Sequence, residues 1–186
     1  MGSGSQSFSE LSRCVGAAIA KQGCHLLTGG GGGVMAEVSR AFCEITPREG
    51  LSIGILKGRT ESDSCQSAFP LLHTPAPPNP WVEIPIYTHL PLSGERGREE
   101  GSRNHINVLS SDVLVALPGG GGTYSEVILR IDYGRPVIFF IGDHTIDGKG
   151  ADHFRARTQD KALVMEARTA EELEQLLSQT LQDGHK

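Results

Sequence analysis

Two apolar runs in this chain break into glycine and then resume as helical patterns. Cys24–Thr28 leads into TGGGGGVM (Thr28 to Met35), and Asp112–Leu117 leads into PGGGGTYSE (Pro118 to Glu126). A short, wholly apolar strand is buried on both faces, which requires helices above and below a parallel sheet. Two strand–glycine–helix units therefore restrict the chain to a doubly wound α/β fold. In such a sheet the turns at the carboxyl ends of the strands form the ligand edge. Glycine there lets backbone approach a guest without a Cβ.

The rest of the pattern agrees. Ser7-Phe8-Ser9-Glu10 has the S-x-x-E capping signature, and Leu11, Cys14, Val15, Ala18 and Ile19 give a helical stripe ending near Gly23. Val34, Met35, Val38, Ala41 and Phe42 form a second stripe. Leu51–Leu56 reads as a buried strand, the proline-rich 57–80 as a long loop able to act as a lid, and Trp81–Tyr87 as an edge strand, because Pro85 cannot serve a central one. ERGREEG (Glu95 to Gly101) is a charged loop with Arg96 and Arg98 exposed. A short helix over Arg103–Ser111, a helix over Thr123–Tyr133 ended by Gly134, a strand at Val137–Ile141 and a last strand at Ala162–Val164 follow. Thr169-Ala-Glu-Glu172 then opens a final amphipathic helix.

A doubly wound fold opens with a strand, whereas this sequence opens with Met1-Gly-Ser-Gly4. Gly2–Gly4 reads either as the turn after a first strand that the sequence lacks or as the remnant of a tag. The first is preferred, since a turn feeding a helix is what the fold places there. Residues 1–186 with 38% apolar content fit one domain. A net charge of −5 supplies no basic field for nucleic acid or anionic lipid, so neither nucleic acid nor membrane is an expected partner. Cys14, Cys24, Cys43 and Cys65 are widely spaced, and no signal peptide or membrane-length apolar run occurs, so a cytoplasmic protein with free thiols is expected. The seven histidines lack metal-ligand spacing and there is no G-x-S-x-G elbow, which argues against a protein-bound metal and a serine hydrolase.

A helix N-terminus with free N–H groups and the positive end of its dipole suits a phosphate, so a phosphorylated small molecule is the expected guest. Gly29, Gly30, Gly31, Gly32, Gly33 and Gly119, Gly120, Gly121, Gly122 are the candidate cradle, with Arg103 adding charge and Asn104 and Thr123 polar contacts. Neither turn is a Walker A loop, as no G-K-[ST] follows. Glu126 has two readings that the pattern leaves open. It completes a T-x-x-E capping box with Thr123, or it is a carboxylate at the rim of the anion site. A third reading, a domain without ligand, leaves two glycine turns without a purpose.

PGGGGTYSE resembles the P-G-G-x-G-T-x-x-E motif of the Lonely Guy superfamily, long called lysine decarboxylase-like, and the likeness covers Ser7 to about Ile141. It implies a Rossmann-like fold. In members that hydrolyse nucleoside 5′-monophosphates to a free base, the motif Glu and an upstream Arg, here Glu126 and Arg103, are the catalytic pair. Those enzymes carry a His-Glu-Arg-Lys run where this chain has Gly101-Ser-Arg103-Asn104-His105. The G-S-R-N-H-I-N-V-L-S-S-D context and TGGGGGVM are more similar to the molybdenum cofactor carrier branch, whose members bind a phosphorylated molybdopterin without transforming it. The resemblance thus implies a carrier of the molybdenum cofactor, with a phosphoribohydrolase as the alternative. It also implies a homodimer or homotetramer, and molybdoenzymes as recipients.

Overall fold

A computed structural model describes residues 1–58 and 78–183. It contains six parallel strands in two sheets of order β1-β2-β3 and β4-β5-β6: β1 (Leu26–Thr28), β2 (Ser52–Leu56), β3 (Ile84–Tyr87), β4 (Leu114–Ala116), β5 (Val137–Phe139) and β6 (Val164–Glu166). Six helices cover them: α1 (Ser9–Lys21), α2 (Val34–Glu44), α3 (Asn104–Leu109), α4 (Gly121–Asp132), α5 (Ala151–Arg157) and α6 (Ala170–Asp183). The doubly wound α/β expectation holds. Helices lie on both faces because β4 and β5 turn alternate side chains into two separate cores. Val115, Leu117, Ile138 and Phe140 pack with α1, α2 and α6, while Leu114, Ala116, Val137 and Phe139 pack with α3, α4 and α5.

Close packing explains part of the glycine content. At Gly16 a Cβ would fall 2.5 Å from the Val38 carbonyl oxygen, so α1 and α2 meet nearly backbone to backbone. Pro85 sits on edge strand β3, paired among the described residues only with β2, and Ile84, Ile86 and Tyr87 are exposed. Cys14, Cys24 and Cys43 are free thiols. No helix among the described residues is long and apolar enough to cross a membrane. Residues 59–77 of the expected loop and lid, together with Cys65, lie outside the described residues.

Several boundaries differ from the sequence expectation. The S-x-x-E signature at Ser7 does not cap α1. Phe8 occupies the N-cap in the left-handed region (φ 41°), and no side chain bonds the open N–H groups. Phe8 is held there by packing against the α1 core and by an edge-on contact with His144. The last strand lies at Val164–Glu166, because Lys161–Leu163 forms a 3-10 turn capped by Asp160. Helix α5 carries no clear periodic signal, yet Phe154 is fully buried against Phe139 and Tyr124. Its burial is tertiary in origin.

Buried Arg130 ties one end of the second sheet together, a role the sequence did not signal. Its guanidinium donates to the carbonyls of Pro136 (3.1 Å), Val108 (2.6 Å) and Ser111 (2.7 Å), and also to that of Asp112. These carbonyls close α3 and flank β4 and β5, where few backbone groups are available to satisfy them. Burial lowers the Arg130 pKa to about 10.

Candidate functional site

The first glycine turn begins where β1 ends, with the Gly30 N–H donating to Thr28 Oγ1 at 3.1 Å. Gly30 and Gly33 have φ of 69° and 59°, values that only glycine adopts at little cost. Asn79 fixes the outer side of this turn, its N–H donating to the Gly30 carbonyl (2.8 Å) and its Nδ2 to the Gly31 carbonyl (3.0 Å). The inner side is occupied by the start of the chain. Ser3 accepts the Val34 N–H at 2.8 Å, and a Cβ on Gly33 would fall 2.5 Å from the Ser3 carbonyl oxygen. One donor at the N-terminus of α2 is thus already taken.

The second turn is more open. Among the described residues, the N–H groups of Gly120, Gly121, Gly122 and Thr123 meet no acceptor, and nothing lies within 4 Å of a Cβ placed on Gly120. Gly121 and Gly122 answer to a different constraint, since a Cβ on them would come within 2.9 Å of Glu95 Cγ and 3.0 Å of Gly94 Cα. They let the 3-10 turn Gly94–Arg96 pack on α4. Gly119 faces Thr123 Oγ1, which a Cβ would approach to 2.2 Å. Ser3 joins the two turns, since its N–H donates to the Pro118 carbonyl at 2.9 Å while its own carbonyl serves α2.

Arg103 enters this junction from the residue just before α3. Its guanidinium lies against Gly29, where a Cβ would fall 2.5 Å from Nη2. Nε and Nη1 are shielded from water and have no acceptor. Burial lowers the Arg103 pKa, and the nearby Glu126 partly opposes this. Glu126, 8% exposed, projects from the second turn of α4. Burial raises its carboxyl pKa against the pull of the Met1 amine and of Arg103. Arg103, the helical N-cap of α3, precedes Asn107 by four residues, so the two share a helix face. Asn107 is fully buried with both amide atoms unpartnered. That i, i+4 spacing was the available signal for Asn107. Nothing in the sequence marked Asn79 or Met1. Asn104 is buried and unpartnered too, but it faces Gly97, whose Cβ would fall 2.2 Å from its Nδ2.

Glu126 is not a helix cap. Helix α4 starts at Gly121, three residues earlier than the T-x-x-E box requires, which places Thr123 and Glu126 inside the helix and turns Glu126 sideways into the junction. The same pattern at Thr169–Glu172 does cap. Thr169 Oγ1 accepts the Glu172 N–H (3.2 Å), and Glu172 Oε2 accepts the Arg168 N–H (2.8 Å). Exposed Arg96 pairs with Glu99, and Arg98 with Asp132, as a charged surface loop would. Among the described residues no group of three His, Cys, Asp or Glu could hold a metal ion.

Two outcomes follow from this geometry. Gly29→Ala pushes on the flexible tip of Arg103 rather than on backbone, so the variant is expected to fold normally while displacing the guanidinium. Circular dichroism and ligand titration will separate the two effects. Glu126→Gln tests the carboxyl. Because its pKa is raised on folding, Glu126 contributes stability that is fully present below the ordinary value of 4.5 and lost as pH rises through the folded value. The glutamine variant is therefore expected to resist urea better than the parent at pH 7, with the gap closing toward pH 4.5. Lower stability at pH 7 would reinstate the cap.

Comparison with known proteins agrees with this architecture. The family model described as LDcluster4, SLOG cluster4 family, matches residues 1–174. None of the curated proteins compared matches the chain. Among solved structures, the molybdenum cofactor binding protein from the phototrophic bacterium Rippkaea orientalis is 30% identical, with a TM-score of 0.67 over 95% of this chain and 91% of that one. The molybdenum cofactor carrier protein from Chlamydomonas reinhardtii is 26% identical, with a TM-score of 0.65 over 98% and 95%. The resemblance carried by PGGGGTYSE thus extends over the whole fold, and the chain belongs to the SLOG cluster4 family.

Proposed function

We propose that the protein binds the molybdenum cofactor as a phosphorylated molybdopterin, in the junction between the two glycine turns, and holds it without transforming it. The observation that carries this reading is the Arg103 guanidinium, enclosed beside Gly29 with Nε and Nη1 unpartnered. A buried, unpaired guanidinium is costly and is repaid when an anion accepts from it. The free N–H groups of Gly120–Thr123 at the positive end of α4 suit the same phosphate. Burial raises the Glu126 pKa and so weakens the repulsion its carboxylate exerts on such a guest. Both solved relatives described above are molybdenum cofactor binding or carrier proteins, which supports the choice of ligand.

One observation favours a second reading, hydrolysis of a nucleoside 5′-monophosphate. Glu126 faces the same junction as Arg103, where a carboxylate could support positive charge developing on a ribose. The test runs both activities on one preparation. Cofactor incubated with the protein is expected to outlast free cofactor in air, while a panel of nucleoside monophosphates yields no free base. Release of base that disappears in Glu126→Gln would replace the carrier reading with the hydrolase.

A further inference from the structure

Asn79 engages all four of its hydrogen-bonding groups around the first glycine turn. Its N–H donates to the Gly30 carbonyl (2.8 Å) and its Nδ2 to the Gly31 carbonyl (3.0 Å). Its Oδ1 accepts the Trp81 N–H and its own carbonyl accepts the Val82 N–H, both at 3.1 Å. The Trp81 bond settles which way the amide faces, since only the amide oxygen can accept it. Proline stands on both sides, at Pro78 and Pro80, and Pro80 restricts Asn79 to extended backbone conformations. The residue is a rigid clamp on two successive carbonyls.

Peptide geometry carries the clamp across the turn. The bonds Gly30–Gly31 and Gly31–Gly32 are trans, so each C=O is antiparallel to the N–H that follows it. With both carbonyls drawn to Asn79, the N–H groups of Gly31 and Gly32 point away from it, side by side. Successive N–H groups aimed one way form a nest for an acceptor, and among the described residues neither meets one. An independent sign of a guest is Arg103, whose tip lies against Gly29 of the same turn while its Nε and Nη1 are shielded from water without an acceptor.

This nest is poorly placed for a full negative charge. A Cβ on Gly32 would fall 3.3 Å from the Gly4 carbonyl oxygen, and one on Gly33 would fall 2.5 Å and 2.7 Å from those of Ser3 and Gln6. Three carbonyl oxygens crowd the end of the turn, and they repel an anion more strongly than a neutral oxygen. Gly120 in the second turn has no such neighbours.

We propose that Asn79 is a positioning residue for the ligand: it holds the Gly31 and Gly32 N–H groups toward the junction, where they donate to an uncharged oxygen, the ring carbonyl of the pterin. The phosphate is left to Gly120–Thr123 and Arg103. This role rests on the cofactor reading and adds to it the part of the ligand that the first turn recognises.

The test follows isotope-labelled protein by NMR as molybdopterin or inorganic phosphate is added. Molybdopterin is expected to shift the Gly31 and Gly32 amide resonances, and phosphate is expected to leave them in place. Asn79→Asp keeps the acceptor for Trp81 and loses the donor to Gly31, while Asn79→Ala loses both and adds no charge. Each variant is expected to bind molybdopterin about 10-fold more weakly and phosphate at parental strength, a split that a general loosening of the fold does not produce. Parental affinity for molybdopterin in both variants would overturn the proposal, as would equal losses for the two ligands or a shift of Gly31 and Gly32 by phosphate alone. If the variants fail to fold by circular dichroism, the resonances of the parent decide. A parent that binds no molybdopterin overturns the cofactor reading itself, and the role of Asn79 with it.

Discussion

Arg103→Met is expected to weaken cofactor binding by roughly 30–1,000-fold, which is about 2–4 kcal/mol, without unfolding the protein. The size follows from desolvation. The guanidinium is enclosed with two nitrogens unpartnered, so an anion that reaches it gains charge-assisted bonds and the protein loses a standing penalty. Methionine fills similar space and supplies neither. The apoprotein is expected to keep its melting temperature, since no protein bond to these two nitrogens is lost. Arg103→Lys should restore only part of the affinity, because an ammonium cannot reproduce the planar fork. Binding by Arg103→Met at parental strength would move the anion site elsewhere. Glu126→Gln is the companion measurement, as a carrier retains its ligand in that variant and a hydrolase loses its turnover.

The second large effect is on stability. Arg130→Met is expected to cost about 3–5 kcal/mol of unfolding free energy, read as a lower urea midpoint. Four carbonyls, those of Val108, Ser111, Asp112 and Pro136, take bonds from this one side chain, and methionine leaves Val108 with only the long bond from the Ser111 hydroxyl (3.4 Å) and takes the guanidinium from the other three. A domain of this size has a total stability of about 5–15 kcal/mol, so the variant should also express poorly. Arg130→Lys should fall between, with a single ammonium unable to span carbonyls on both sides of β4. A midpoint shift below ~1 kcal/mol would mean that water replaces the guanidinium.

What the sequence made legible was the part written in local pattern. Apolar runs such as Leu114–Ala116 and Val137–Phe139 became strands, and the two glycine turns fell at strand carboxyl ends because a chain of this period has nowhere else to turn. Arg103 and Glu126, far apart in sequence, converge because α3 and α4 flank β4. The readings that failed depended on neighbours. T-x-x-E forms a cap at Thr169 and not at Thr123, since Gly121 and Gly122 let α4 extend backward under the Gly94–Arg96 turn. Helix α5 and Arg130 were illegible for the same reason, as their partners lie on other strands and helices. Ser3 was legible as a turn residue but not as the link between both glycine turns.

The two glycine turns differ in what they leave free, and that difference gives the junction a head and a tail. Val34 at the start of α2 spends its N–H on Ser3, whereas the first turn of α4 keeps its donors. Under the proposed reading, an elongated guest charged at one end lies favourably in one direction only, anionic group toward Gly120 and uncharged body toward Gly31. A molecule of the same composition with its charge at the other end would meet a helix terminus whose first donor is already taken. The cleft would then select for the order of groups along its ligand as well as for their chemistry, and two isomers of one phosphate ester would bind unequally without any side chain touching the part that differs.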